Sequence, residues 1–306
     1  MTPEDFPELV RLFRDLFGDP MDVGEWSWKY AARPGTMRSF VTVRDGRIVR
    51  HVGLRRHELT LDGRPCEALD IVDGMSLPSE RASQVPDIAR RGREHIQRAQ
   101  DADPGTLFTF GFTNPGLAGQ RVRDGLYLLQ APVGECHLDR LDPPAAIPRG
   151  VAVVSSPPEA WDERWHELES DMTLVRRRDS AYLRWRYSEH PRLRYTYVST
   201  GEGGLAVVRT GGPAAYLMEL LAAPGDSATL GRLALAAEWV AARAGATSLV
   251  AFFPRWSEHV RVLTGACRFH AVEPVERLIV STADRRLAPE TITDGFFYSL
   301  GDWDAR

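Results

Sequence analysis

Lysine is almost missing from this chain: Lys29 is the only one among 306 residues, and every other basic side chain apart from the histidines is arginine. Together with the Ala, Gly and Pro content, this looks like the codon bias of a GC-rich bacterial genome and says little about function. Cysteine is scarce too. Cys66, Cys136 and Cys267 are odd in number, far apart and without CxxC spacing, which excludes a disulfide framework and a zinc site. They read as packed thiols in a reducing compartment. No apolar run approaches the ~20 residues of a spanning helix. The stretch Thr2-Pro3-Glu4-Asp5-Phe6 has no apolar signal-peptide core, so the expected location is the cytoplasm. Neither G-x-x-x-x-G-K-[ST] nor G-x-G-x-x-G occurs, which removes the nucleotide-binding fingerprints. The net charge of −4 supplies no basic field for nucleic acid or an anionic membrane.

What is present is ordinary globular material: 43% hydrophobic and 26% charged residues, enough for two cores at roughly 100–200 residues per domain. Thr2 with Pro3 and acidic Glu4 and Asp5 predicts a helix start, continued by Leu9, Leu12, Phe13, Leu16 and Phe17 and stopped at Gly18. The aromatic segment Trp26-Ser27-Trp28-Lys29-Tyr30 follows. Asp45-Gly46 and Asp62-Gly63 predict hairpins, the second leading into a strand over Glu67–Leu77 that meets Pro78. A helix over Val85–Ala102, a strand over Thr106–Phe112, a helix over Gly116–Arg123 and a strand over Leu126–Gln130 complete the first half. Pro143, Pro144 and Pro148 stiffen a linker, giving domains at 1–140 and 151–306 joined by 141–150.

The same order of elements then returns: helix Glu159–Asp171, hairpin strands Tyr195–Ser199 and Leu205–Arg209, strand Ala215–Ala222 before Pro224, helix Ala228–Ala244, strand Ser248–Phe253, helix Glu258–Thr264 and strand Glu276–Ser281. Trp28-Lys29-Tyr30 with Pro34 recurs as Trp185-Arg186-Tyr187 with Pro191, at identical internal spacing. An ordered return of this kind argues for internal duplication. Meanders followed by strand–helix–strand units predict a mixed α/β fold, each half a mostly antiparallel sheet flanked by helices.

This order resembles the GNAT acetyltransferase superfamily, once in each half and over nearly the whole chain. Pro78-Ser79-Glu80-Arg81 resembles the segment that opens the family's pyrophosphate loop, and Asn114, Gly125 and Leu126 fit its next strand and turn. The Trp-basic-Tyr segment and the run Tyr298–Asp304 resemble tandem members of bacteria. The resemblance implies acetyl-CoA or another acyl-CoA as co-substrate, no metal, and a small-molecule amine as acceptor. By it, the donor is held by backbone groups of Met75 and Leu77, by Arg81, Ala82, Ser83, Gln84 and Val85, and by Asn114. The sequence departs from the pattern in places. Gln84 and Pro86 replace two small residues, Arg121 stands where many members carry the tyrosine that protonates the leaving thiolate, and the matching second-half segment Pro224–Ala228 places Asp226 where phosphate would sit.

Transfer to an amine requires its deprotonation, usually by a carboxylate. Asp73 lies five residues before Pro78, and Glu219 stands in the same register before Pro224. Asp73 is therefore the first candidate base, with Asp70 and Glu67 on the same strand behind it. Trp28, Tyr30 and Glu219 are candidates for an acceptor pocket. Trp26, Trp28, Tyr30, Trp185 and Tyr187 read first as an extended segment packed on each sheet, and as the wall of an acceptor pocket only in the alternative. His51 and His57 share a hairpin without metal-ligand spacing, and Arg176-Arg177-Arg178 reads as a solvated face. The expected function is N-acyl transfer, with the first half holding the donor and the second shaping the acceptor site. The alternatives are an aminoacyl-tRNA-dependent transferase of the same tandem fold, the one case with a nucleic-acid partner, and a non-catalytic binding module.

Overall fold

The computed structural model describes residues 2–31, 37–79, 94, 97, 105–201, 203–282 and 287–303. The chain forms two compact units: Met1–Glu58, Cys66–Gln130 and Leu278–Glu290 make the first, and Leu59–Pro65, Ala131–Arg277 and Thr291–Arg306 the second. Each unit thus recruits a short piece from the other half of the sequence.

In the first unit, Thr2 and Asp5 close a capping box over the turn Pro3–Asp5, which runs into α1 (Phe6–Phe17). Gly18 ends α1 with φ of 68°, a left-handed cap that glycine adopts without steric cost. The aromatic segment forms a helix, α2 (Val23–Ala31), rather than the extended run expected for it. Asp22 accepts a bond from the Glu25 N–H and starts the helix. One helical turn separates Trp26 and Tyr30, so their rings stack at 4.6 Å and 10°. Met75 and Leu77 pack with Leu9, Leu12, Trp26 and Ile48 in the core beneath these helices.

Strands β1 (Met37–Arg44) and β2 (Arg47–Leu61) pair antiparallel around Asp45-Gly46. Asp62-Gly63 then turns β2 into β3 (Arg64–Ser76). Both turns have positive φ at both residues, as two-residue hairpins of this type require. β4 (Thr106–Thr113) lies parallel to β3, and α3 (Pro115–Arg123) follows, capped by Asn114, whose side chain accepts from the Leu117 N–H at 2.9 Å.

The second unit opens with β5 (Leu129–Leu138), longer than the sequence suggests because Pro132 and Gly134 interrupt the strand pattern. Gly134 is required there: a Cβ would lie 2.6 Å from Val260 and 3.0 Å from the Phe253 carbonyl. Residues 139–150 carry no helix or strand. Then come β6 (Val151–Val154), α4 (Trp161–Ser170), β7 (Leu174–Arg176) and the short helix α5 (Ser180–Leu183), which widens into a π-turn over Arg184–Ser188. β8 (Arg194–Thr200), β9 (Leu205–Thr210) and β10 (Ala214–Leu221) form an antiparallel meander. The crossover helix α6 (Ser227–Arg243) then returns the chain to β11 (Ser248–Pro254), parallel to β10. After α7 (Glu258–Ala266) and β12 (His270–Ala271), β13 (Arg277–Thr282) leaves for the first unit, where it lies beside β4. α8 (Pro289–Gly295), β14 (Phe296–Phe297) and the turn Leu300–Asp302 end the described chain.

Within the second unit the strand order is β5-β11-β10-β9-β8-β6, antiparallel except at β10 and β11. The first unit repeats the scheme: an antiparallel hairpin and a long strand, followed by a single parallel neighbour, β3 beside β4. Among the described residues no helix is long and apolar enough to cross a membrane.

Candidate functional site

Asp73 sits in β3 with φ of 48°, a left-handed conformation uncommon for a residue with a side chain. Two neighbours from one turn of α2 converge on it. The Tyr30 hydroxyl donates to Asp73 Oδ2 at 2.6 Å, and Lys29 Nζ, the chain's single ammonium side chain, lies 2.6 Å from the same oxygen. Lys29 and Asp73 are both buried, so the pair is screened little by solvent.

His51, on β2, completes the cluster. Its Nδ1 lies 2.9 Å from the Asp73 carbonyl oxygen, which can only accept, so Nδ1 carries the proton. The other nitrogen, Nε2, therefore accepts from the Ser39 hydroxyl, 2.5 Å away. Trp26 and Tyr30 set their edges against the imidazole at 5.3 and 5.6 Å and fix the ring. Burial holds the His51 pKa below the ordinary histidine value, against the opposing pull of the hydrogen bond and charge of Asp73. The imidazole is neutral at pH 7.

The other expected site residues are placed as follows. Asp70 belongs to a separate buried cluster, bonded to Arg55 at 2.7 Å with His57 at 3.7 Å. Glu67 is partly exposed and pairs with Arg56 at 3.3 Å. The Leu77 N–H donates to the Val49 carbonyl. Met75 is a core side chain and Trp28 is half-buried. Asn114 is the cap of α3. Arg81, Ala82, Ser83, Gln84 and Val85 lie outside the described residues. Tyr127, near Arg121, is buried beneath Ala118 and Ile279, and burial pushes its pKa far up, so its hydroxyl keeps its proton.

The second unit repeats the pairing of tyrosine with carboxylate. The Tyr187 hydroxyl donates to Glu219 Oε1 at 2.7 Å, just as Tyr30 does to Asp73. The strand is irregular here as well, with a register shift between Leu217 and Glu219. The surroundings differ. Glu219 is fully buried, and its Oε2 accepts from Arg178 at 2.9 Å and from Ser299 at 2.7 Å. Arg178, itself fully buried, also bonds Asp302, and Arg186 reaches the carbonyls of Gly301 and Trp303. The residues after β14 are thereby clamped over the carboxylate. A Cβ on Gly301 would lie 2.0 Å from the Tyr187 hydroxyl and 2.5 Å from Glu219. The arginine run Arg176–Arg178 is therefore no solvated face: Arg176 and Arg178 are buried cations of this network, and only Arg177 is exposed.

The start of α6 is also occupied by the chain's own groups. Asp226 accepts from the Thr229 N–H at 3.0 Å, and Glu258 accepts from the Gly225 N–H at 2.9 Å and from the Ser227 hydroxyl. These bonds hold both carboxyls below their usual pKa: for Asp226 the Thr229 bond acts first, and for Glu258 the Ser227 bond. A helix start that attracts anions is here supplied with two internal ones.

Sequence reasoning gave Ser39 no role, set His51 aside, and saw Arg178 only in a solvated run, Ser299 only in the run Tyr298–Asp304 and Glu258 only as a helix start. One signal was available: across the Asp45-Gly46 hairpin His51 pairs with Val41, so Ser39, two residues on, lies on the same face. The other contacts join segments distant in sequence and had no local signature.

No protein-family model matches the chain, and no curated protein matches its sequence. Solved structures do match its fold. A tandem GNAT protein from the clavulanic acid biosynthesis pathway superposes with a TM-score of 0.57 at 18% identity, over 92% of this chain and 95% of that one. A GCN5-related N-acetyltransferase from Anabaena variabilis gives 0.61 at 10% identity, over 91% and 70%. Saccharomyces cerevisiae N-myristoyltransferase with bound myristoyl-CoA gives 0.62 at 11%, over 92% and 76%. At such identities the likeness is one of fold.

Proposed function

From a chain with the tandem fold of the GNAT acyltransferases, we propose an N-acyltransferase that moves an acetyl or other acyl group from acyl-CoA to a small-molecule amine, with donor and chemistry on the first unit. The observation that carries the choice of unit is the unequal fate of one repeated motif. Tyr187–Glu219 is sealed by Arg178 and the residues after β14, and the start of α6 is neutralised by Asp226 and Glu258. Tyr30–Asp73 also carries a buried cation, Lys29, but among the described residues no terminal segment is clamped over it, and its other neighbours are the neutral His51 and the half-buried Ser39.

In the reaction the amine nitrogen attacks the thioester carbonyl carbon. The C–N bond forms, the C–S bond breaks, and the nitrogen gives up a proton. Asp73, paired with Lys29, receives that proton directly or through one water. Arg81–Val85, which follow β3 in sequence, supply the cation and backbone donors for the pyrophosphate, and the thiolate leaves near Arg121 and Tyr127.

Thermal denaturation with acetyl-CoA, longer acyl-CoAs and free CoA tests the donor. Ligand at ~100 times its dissociation constant adds about 2.7 kcal/mol. Arg81→Gln should weaken that stabilisation. No shift with any of these ligands refutes the acyl-CoA reading and leaves a binding module.

A further inference from the structure

His137 and His270 stand directly opposite each other across the antiparallel pair of β5 and β12. Their rings lie 6.3 Å apart at 59°. Successive side chains of a strand alternate faces, so Glu135, His137 and Asp139 share the face that carries His270. Asp139, just past the end of β5, brings its carboxylate to 3.4 Å from His270 Nε2 and 4.0 Å from His137 Nδ1. Solvent reaches all three: the side chains of His137, His270 and Asp139 are 30%, 53% and 71% exposed.

The second nitrogen of His137 decides the chemistry. Nε2 lies 2.9 Å from Oε1 of Glu135, a buried carboxylate whose other oxygen accepts from the Val275 N–H at 3.1 Å. A carboxylate accepts, so Nε2 carries the proton, and Nδ1 of the neutral ring turns its lone pair toward Asp139. One N–H given to a fixed carboxylate, with the other nitrogen facing out, is the arrangement that orients metal-ligating imidazoles. Bonds of about 2.0–2.1 Å to a tetrahedral ion place neighbouring ligand atoms ~3.4 Å apart. His270 Nε2 and Asp139 Oδ2 already have that separation.

We infer that His137 Nδ1, His270 Nε2 and the Asp139 carboxylate bind one divalent transition-metal ion of the zinc type, with Glu135 holding His137 from behind and water completing the shell. Among the described residues no three such side chains stand closed on an ion; loading closes this set by rotation of the exposed Asp139 and His270 side chains. Two imidazoles and one carboxylate suit Zn²⁺ rather than Mg²⁺ or Ca²⁺, which take oxygen ligands. The ion ties the two-residue strand β12 to β5. It takes no part in acyl transfer, and the site does not rest on the reaction proposed above.

The test is isothermal titration calorimetry of the untagged, metal-free chain with Zn²⁺ and, separately, with Mg²⁺. The expected result is one Zn²⁺ bound per chain and no binding of Mg²⁺. Glu135→Gln leaves all three ligands in place and should weaken Zn²⁺ by ~10–100-fold. His137→Ala and His270→Ala, both at exposed positions that the fold does not need, should each weaken it further. Zn²⁺ should raise the melting temperature of the unmodified chain and leave that of the double histidine variant unchanged. No one-to-one binding at millimolar Zn²⁺ overturns the site, and so does binding that survives both histidine substitutions. Equal affinity in Glu135→Gln and the unmodified chain overturns the part given to Glu135.

Discussion

Asp73→Asn is nearly isosteric, but it does two things at once. It removes the proposed base, and it takes a negative charge from a buried pair in which Lys29 Nζ lies 2.6 Å from Oδ2. Removing one partner of a buried ion pair costs ~3–5 kcal/mol, whereas replacing both with neutral groups of similar volume is close to neutral. The single variant should therefore lose stability of that order. The double variant Lys29→Met with Asp73→Asn should recover most of it, with Tyr30 still donating to the amide oxygen of the substituted side chain. Turnover should behave differently. Loss of a general base lowers kcat by ~10²–10⁴-fold, and the double variant should stay slow although it is stable again. Urea denaturation of the four proteins of the cycle gives the coupling energy, and steady-state rates with acetyl-CoA and whichever amine the unmodified chain accepts give the kinetic effect. A double variant that regains both stability and turnover would show that the carboxylate holds Lys29 and carries no chemistry. A single variant that loses less than about 1 kcal/mol would contradict the buried pair itself.

Arg178→Met removes the cation between Glu219 and Asp302 and should cost ~3–5 kcal/mol in urea denaturation; a loss below about 1 kcal/mol would refute the clamp on the residues after β14. His259 is buried and donates to the Leu220 carbonyl, and burial lowers its pKa from 6.5 to about 4. The unfolded chain thus binds a proton that the folded chain refuses, so stability is complete above pH ~6.5 and falls by roughly 3 kcal/mol as the pH approaches 4; His259→Gln should flatten that part of the stability–pH curve. Glu258→Gln removes one of the two anions at the start of α6 but should leave acyl-CoA stabilisation within about twofold in apparent affinity, because the donor is assigned to the other unit. Marked loss or gain of binding there would move the donor to the second copy.

The pattern of elements was legible in the sequence because its signals are local. Asp-Gly pairs fix two-residue hairpins, Gly18 and Gly245 stop helices with positive φ, and hydrophobic spacing marks strands and helices. The duplication was legible for the same reason, through the repeated Trp-basic-Tyr segment, and so was the matched register of Asp73 and Glu219. The sequence misled where a side chain's partner is remote. The aromatic run before Pro34 reads as extended, yet Asp22 caps a helix that stacks Trp26 on Tyr30. β5 looks broken by Pro132 and Gly134, yet β11 and α7 approach so closely that only glycine fits.

What the sequence determined, then, was the order of elements, the two-fold repetition and the candidate carboxylates, all set by residues a few positions apart. Which copy is closed was decided by tertiary structure alone. Arg178 meets Glu219 from 41 positions away, Ser299 from 80, and Glu258 reaches Gly225 across 33. Such contacts have no period and no spacing rule, and they exist only because folding excludes water around charges that must then find one another.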